Sequence, residues 1–291
     1  MLPILKTYKL FIGGQFPRTE SGRAYKVTAP DGSLLANACL ASRKDFRNAV
    51  AAARKAFDGW SQRAAFNRSQ ILYRIAEMME GRTAQFEEEL RLMGLSKAQA
   101  AREVRLSIER FVYYSGWCDK YQQVFGSVNP VSSPHFNFSV PEPTGVVAIV
   151  ADEQSPLLGL VSVLAPAIAG GNTCVVLASE SRPLSAVTLA EVLSHSDLPG
   201  GVVNILTGRA KELHTHMAGH MDVNALVYCR DDQAQWSAMA TLGAQNVKRT
   251  MRWTRDWTKE DARDPYLLMD LQEIKTTWHP VERIGASGSG Y

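Results

Sequence analysis

From residue 145 onward, short apolar runs alternate with longer mixed segments at a spacing that leaves few folds open. Gly145 to Val150 is a continuous apolar run of strand length, the signature of a strand covered on both faces. Pro156 to Ala169 reads as helix and Cys174 to Leu177 as strand. Leu184 to His195 reads as helix and Val202 to Leu206 as strand. Ala210 to Ala218, Ala225 to Tyr228 and Gln233 to Leu242 then read as helix, strand and helix. Such alternation with short connections predicts a parallel sheet with helices on both faces. The fold class is therefore α/β.

The N-terminal third has a different texture. Lys9 to Phe16 places two short apolar pieces around Gly13-Gly14, which predicts a β-hairpin. Ser42, with Asp45 three residues on, starts a helix whose apolar face is Phe46, Ala49, Val50, Ala53, Phe57 and Trp60. Amphipathic helices follow over Asn67–Gly81, Thr83–Met93 and Ser96 to about Tyr121. Phe136, Phe138 and Val140 alternate as a strand. Thr254 to Pro265 is polar and aperiodic, which predicts a loop. Tyr266 to Trp278 reads as one long strand, and Gly285 to Tyr291 as a mobile Gly/Ser-rich tail.

Composition excludes several classes. The net charge of +3 is too small to argue for nucleic acid. Cys39, Cys118, Cys174 and Cys229 are far apart and form no CxxC pair, so neither a disulfide framework nor a zinc ribbon is expected. No apolar run approaches the roughly 18 residues of a membrane span. Met1 to Lys9 lacks the features of a signal peptide, so a cytoplasmic protein is expected.

The residues from Leu10-Phe11-Ile12-Gly13-Gly14 onward resemble the aldehyde dehydrogenase superfamily. So do Glu142 to Val147, the run Leu164-Ala165-Pro166-Ala167-Ile168-Ala169-Gly170-Gly171-Asn172-Thr173, Pro183 to Ala186, Leu198 to Ile205, and Leu271 to Thr277. Arg43 to Val50 and Tyr113 to Lys120 are similar to the degenerate second unit of family-16 aldehyde dehydrogenases. The resemblance implies an oligomerisation β-sheet from 1–28, 122–142 and 266–284. It implies a Rossmann-like coenzyme-type domain from 29–121 and 143–253, joined to the last strand by a crossover at 254–265. The family carries a catalytic domain with a nucleophilic cysteine where this crossover stands.

Residue by residue, the resemblance implies an eroded site. Gln154 takes the place of the oxyanion asparagine, beside Asp152 and Glu153. Trp253 takes that of the general-base glutamate, and Leu177 that of a lysine near the ribose. Glu180 is retained as a vestigial ribose contact. Cys229-Arg230-Asp231-Asp232 stands where small residues receive the pyrophosphate, and its two carboxylates repel a diphosphate. No catalytic residue is assigned, and no cofactor is expected, NAD(P) being the alternative. The expected function is that of a pseudoenzyme subunit pairing with a full-length aldehyde dehydrogenase or with itself. Two other readings are carried: a residual NAD(P)-dependent oxidoreductase or thioesterase using Cys229 or Cys174, and a nucleotide-binding sensor using Glu180.

Other clusters read blandly. His214, His216 and His220 could share a helix face and hold a metal, but a solvated face is expected and no metal is assigned. Lys248, Arg249, Arg252 and Arg255 around Trp253 are expected to form a charged junction rather than a nucleic-acid surface. Phe111, Tyr113, Tyr114 and Trp117 are expected to pack helix on helix.

Overall fold

The computed structural model describes residues 6–281. In chain order, β1 (Thr7–Tyr8), β2 (Ala24–Thr28) and β3 (Leu34–Cys39) are followed by α1 (Arg43–Ser61), α2 (Ala65–Glu80), α3 (Thr83–Leu92), α4 (Lys97–Ser115) and α5 (Tyr121–Phe125). Next come β4 (Ser127–Asn129), β5 (His135–Pro143), β6 (Val146–Val150), α6 (Leu158–Ala169), β7 (Thr173–Leu177), α7 (Leu184–Ser194) and β8 (Val203–Leu206). The chain continues through α8 (Ala210–Gly219), β9 (Ala225–Tyr228), α9 (Gln233–Ala244), β10 (Arg249–Arg252), α10 (Tyr266–Met269) and β11 (Gln272–Pro280).

The central sheet runs β10-β9-β6-β7-β8, all parallel. Every residue of β6, β7, β8 and β9 is buried. Their alternating residues divide the core. Val146, Ala148, Val150, Val175 and Leu177 pack with the α1 and α8 side chains Phe46, Val50 and Leu213. Val147, Ile149, Cys174 and Val176 face the other way, onto α6 and α7 residues such as Leu160, Leu164 and Leu189. The expected helix on each face is therefore present. Ser42 and Asp45 close α1 with a reciprocal capping box.

A second sheet, β11-β5-β4, is antiparallel. β11 pairs with β5 along its whole length, from Gln272↔Pro143 to Pro280↔His135. The described part of the 1–28 segment, residues 6–28, does not join this sheet as expected. Thr7–Tyr8 and Ala24–Thr28 pair with Leu34–Cys39 in a third sheet, of order β1-β3-β2. The Gly13-Gly14 turn does form, with Ile12 and Gln15 exchanging bonds across it. Phe11, however, exchanges two 2.8 Å bonds with Ile205, and Leu10 and Phe11 are buried. The hairpin is thus drawn onto the β8 edge of the parallel sheet.

Three further segments depart from the sequence reading. Arg249–Arg252, expected as a junction, is the parallel edge strand β10. Ser96–Tyr121 ends its regular helix at Ser115, with Gly116 as C-cap. Tyr266–Met269 is a helical turn, started by Pro265 and by the Asp264 carboxylate accepting the Tyr266 N–H at 2.8 Å. The tail 285–291 lies outside the described residues.

Asn172 joins the two sheets. It is fully buried; its Oδ1 accepts the Gly145 N–H at 2.9 Å, and its amide donates to the carbonyls of Ala167 and Leu271 at 3.3 and 3.0 Å. Asn172→Ala leaves these groups unpaired and is expected to cost about 3 kcal/mol in urea unfolding. A loss below about 0.5 kcal/mol would show that water replaces the bonds.

Candidate functional site

In an open parallel sheet the ligand crevice lies beyond the carboxyl ends of the strands, where the strand order reverses. Here that point falls between β6 and β9, and Arg230, two residues after β9, lies across it. The Arg230 Nε donates to the Ala151 carbonyl at the end of β6 (3.0 Å), and a terminal nitrogen donates to the Ala178 carbonyl past β7 (3.2 Å). The guanidinium also pairs with Glu153 at 2.7 Å and Glu180 at 2.8 Å, with only 10% of its side chain exposed. The Glu153 carboxylate accepts further bonds from the Ser179 hydroxyl and the Glu180 N–H, both within 2.8 Å. Burial opposes its ionisation, but the Arg230 charge and these donors outweigh burial and hold it below the ordinary carboxylate range.

Three helices begin near this end of the sheet, and a carboxylate of the chain sits on the amino end of each. Glu103, reaching over from α4, accepts the Leu157 and Leu158 N–H groups of α6 at 2.8 and 3.0 Å. Burial, with Asp152 adding like charge, raises its pKa against the effect of these bonds. Glu180 accepts the first N–H of α8, that of Ala210, at 2.6 Å. Asp232 caps α9 through the Gln235 N–H at 2.9 Å. These amino ends are where an incoming anion would bind.

Two connected recesses of about 560 and 540 Å³ share Asp152, Gln154 and Arg255. The first also takes in Arg102, Arg182 and Trp257; the second takes in Arg230, Asp231 and Asp232. The segment after β10 forms one wall. Trp257 is 2% exposed and donates to Asp152 at 2.9 Å. Arg110 of α4 holds the Trp257 and Lys259 carbonyls, and Tyr114 holds that of Asp264. The stretch expected as a loop or crossover is docked along α4, on buried anchors that its polar composition hides.

Glu180 lies in the crevice, but its Oε1 is taken by Arg230 and Ala210. Gln154 is exposed, its N–H bonded to Asp152 and its carbonyl to Arg182. Trp253 is buried as a core residue. All four cysteines are buried and free. Burial pushes the Cys118 thiol up to about 12 and those of Cys174 and Cys229 higher. Tyr113 and Tyr114 meet edge to face, and Trp117 stacks on Phe125, as the packing reading expects. Lys248 donates to the His220 and Val223 carbonyls, and Arg252 pairs with Asp231. Among the described residues no group of His, Cys, Asp and Glu side chains could hold a metal ion, and no helix is long and apolar enough to cross a membrane. Sequence reasoning missed Glu103 as a cap, Glu153 as a partner of the β7–α7 turn, and Arg230 as a clamp. For Glu153 and Arg230 the position just past a strand end beside the switch point was the available signal; Glu103 lies within α4, and nothing in its spacing marked it.

Residues 16–251 match the model of the aldehyde dehydrogenase family. The cytosolic 10-formyltetrahydrofolate dehydrogenase of Mus musculus is 34% identical over 261 residues, covering 85% of this chain and 28% of that protein. DhaS of Bacillus subtilis, classed as an aldehyde dehydrogenase, is 32% identical, covering 84% of this chain and 49% of its own length. Among solved structures, the NAD+ complex of an aldehyde dehydrogenase from Bacillus cereus superposes with a TM-score of 0.81 at 26% identity, covering 85% of this chain and 50% of that one. PnpE from Pseudomonas sp. WBC-3 gives 0.82 at 29% identity, covering 86% and 51%. The chain thus spans from 28% to about half of the length of these relatives. With its switch-point crevice, its crossover helices and this match over most of its length, the chain belongs to the aldehyde dehydrogenase family.

Proposed function

We propose that this chain is a non-catalytic member of the family with an assembly or regulatory role, pairing through its β4–β5–β11 sheet with a full-length aldehyde dehydrogenase or with a second copy. The observation that carries this reading is the occupation of the α6, α8 and α9 amino ends by Glu103, Glu180 and Asp232. A dinucleotide needs such N–H groups for its phosphates. Here it would meet those carboxylates together with Asp152, Glu153 and Asp231, each like-charge pair costing about 4 kcal/mol at 4 Å and a surface-like dielectric. Of the cations that line the recesses, Arg230 stands among these carboxylates and is committed to Glu153 and Glu180, while Arg255 pairs with Asp264 and Arg102 and Arg182 donate to the Thr258 and Gln154 carbonyls. The groups present do not fit a dinucleotide.

The chemistry of aldehyde oxidation is likewise unsupplied. Attack on a carbonyl needs an accessible thiolate, and the four thiols are buried. The position of the general base is held by Trp253. Between β10 and β11 there is only the docked segment. The assembly role rests on β11. It forms an outer strand of its sheet, and Ile274 and Trp278 on it are 58% and 56% exposed, with Phe136 of β5 at 48%. An edge of this length with exposed apolar residues favours a protein partner.

Purification from the native source followed by intact-mass measurement is expected to show this chain travelling with a longer aldehyde dehydrogenase or with further copies of itself. NAD(P)-dependent aldehyde oxidation by the isolated chain above a heat-killed control would overturn the non-catalytic reading in favour of the oxidoreductase. Heat on titration with NAD, NADP, AMP or ADP would instead favour a nucleotide sensor built on Glu180.

Thiol labelling gives an independent check. In the native protein none of the four cysteines is expected to react quickly with an aromatic disulfide reagent, and all four are expected to react once unfolded. One fast-reacting native thiol would mark a nucleophile.

Arg230→Met strands two partly buried carboxylates and is expected to cost about 3 kcal/mol at neutral pH. A Glu153 pKa held below the unfolded value contributes stability above that value, and this is lost as pH falls through the folded pKa. The gap between wild type and Arg230→Met in urea unfolding is therefore expected to narrow below about pH 4.5. A gap independent of pH would mean that packing, not charge, is what Arg230 supplies.

A further inference from the structure

On the α1 side of the parallel sheet, away from the crevice, a small pocket of about 230 Å³ opens between the first two turns of α1 and the last turn of α8. It is lined by Arg43, Phe46, Arg47, Thr215, His216 and His220. No carboxylate lines it. Arg43 and Arg47 stand one helical turn apart on the same face of α1. Neither guanidinium has a hydrogen-bond or ion-pair partner among the described residues. Lys44, one residue along, differs: it pairs with Glu20 at 3.2 Å.

The two imidazoles come from the other wall. His216 lies in the last turn of α8, and His220 is its C-cap. The Phe46 ring meets the His220 ring nearly edge-on, with centroids 5.8 Å apart, and so fixes its plane. The His220 Nδ1 accepts the Asp222 N–H at 3.2 Å, which leaves the ring proton on Nε2. Burial lowers the pKa of both rings. Arg43 and His214 add to this at His216. At His220, Asp222 pulls upward while Lys248 and Arg47 push down. The pocket thus gathers four nitrogen donors around a space with no compensating acid on its lining.

A metal ion does not answer this arrangement, because two guanidiniums stand beside the imidazoles and repel a cation. An anion does. A guanidinium presents a planar fork that fits two oxygens of a tetrahedral oxyanion; the amino end of α1 is already taken by the Asp45 carboxylate of the capping box and adds nothing. The backbone N–H of Asp45 in the first turn is already bonded to Ser42 in the capping box. Side chains rather than backbone would therefore hold the ligand.

We propose that the Arg43–Arg47–His216–His220 pocket binds a phosphate-type dianion, either free phosphate or the phosphate group of a small phosphorylated metabolite. The site is separate from the crevice, so the proposal stands or falls independently of the non-catalytic reading.

The test is a titration of the full chain with inorganic phosphate, followed by NMR of the histidine rings, with chloride at matched ionic strength as reference. A parallel titration with glycerol 3-phosphate distinguishes the two sources: tighter binding of the ester assigns an organic ligand, and equal binding assigns free phosphate. The His216 and His220 signals are expected to move saturably at millimolar ligand, with both ring pKa values rising, while His135, on β5, stays still. Arg47→Gln and Arg43→Gln, both at exposed positions, are each expected to weaken binding about tenfold, the loss of one charge-assisted hydrogen bond. Lys44→Gln is expected to leave it within about twofold, since its charge lies outside the pocket. A shift that never saturates, or a Lys44→Gln loss equal to that of Arg47→Gln, would mean diffuse attraction to a basic surface and would overturn the site.

Discussion

No residue of β6, β7, β8 or β9 reaches water. A sheet buried on both faces makes an unpartnered polar side chain along its strands costly, and among these strands the Thr173 hydroxyl, at the very start of β7, is one. Polar chemistry is therefore pushed to the two ends of the strands, and the two ends are built alike. At the amino end Asn172 and Asn224 take up the free N–H groups of Gly145 and Val146. At the carboxyl end Arg230 takes up the free carbonyls of Ala151 and Ala178. In each case the chain closes its own strand ends with side chains.

That symmetry bears on what the crevice can do. A crevice that serves a ligand keeps some of its donors free, because the ligand is to be their partner. In this chain Glu103, Glu180 and Asp232 hold helix N–H groups, while Glu153 and Glu180 hold the guanidinium. The α1–α8 pocket shows the opposite condition: its two guanidiniums have no partner among the described residues. The two regions therefore differ less in charge than in how much of that charge is already committed.

The parallel sheet was legible because buried strands read as short apolar runs between turns. β10 was not, because Arg249-Thr250-Met251-Arg252 lies at an edge and is only half-buried, so its sequence carries no apolar run. The same reason hides the docked segment, where Trp257 and Ala262 are buried among charged neighbours. Periodicity cannot register two anchors five residues apart. The place of the hairpin was misjudged because pairing partners are a tertiary choice: Phe11 bridges to Ile205, far along the chain. At the site, Glu180 was visible as a residue but not as an occupied one. Occupation depends on Arg230, whose reach across three strand ends no spacing reveals.

The antiparallel sheet carries a consequence in time. Ser139 of β5 and Thr276 of β11 are bonded at 2.8 Å, yet they are 137 residues apart in the chain. At a ribosomal rate of 5–20 residues per second, on the order of ten seconds separates their emergence. Through that interval the whole parallel sheet can form while the long edge of β5 has no strand beside it. Until β11 is made, that edge offers unpaired backbone groups to any strand near it, so the order of synthesis sets how long the sheet stays open.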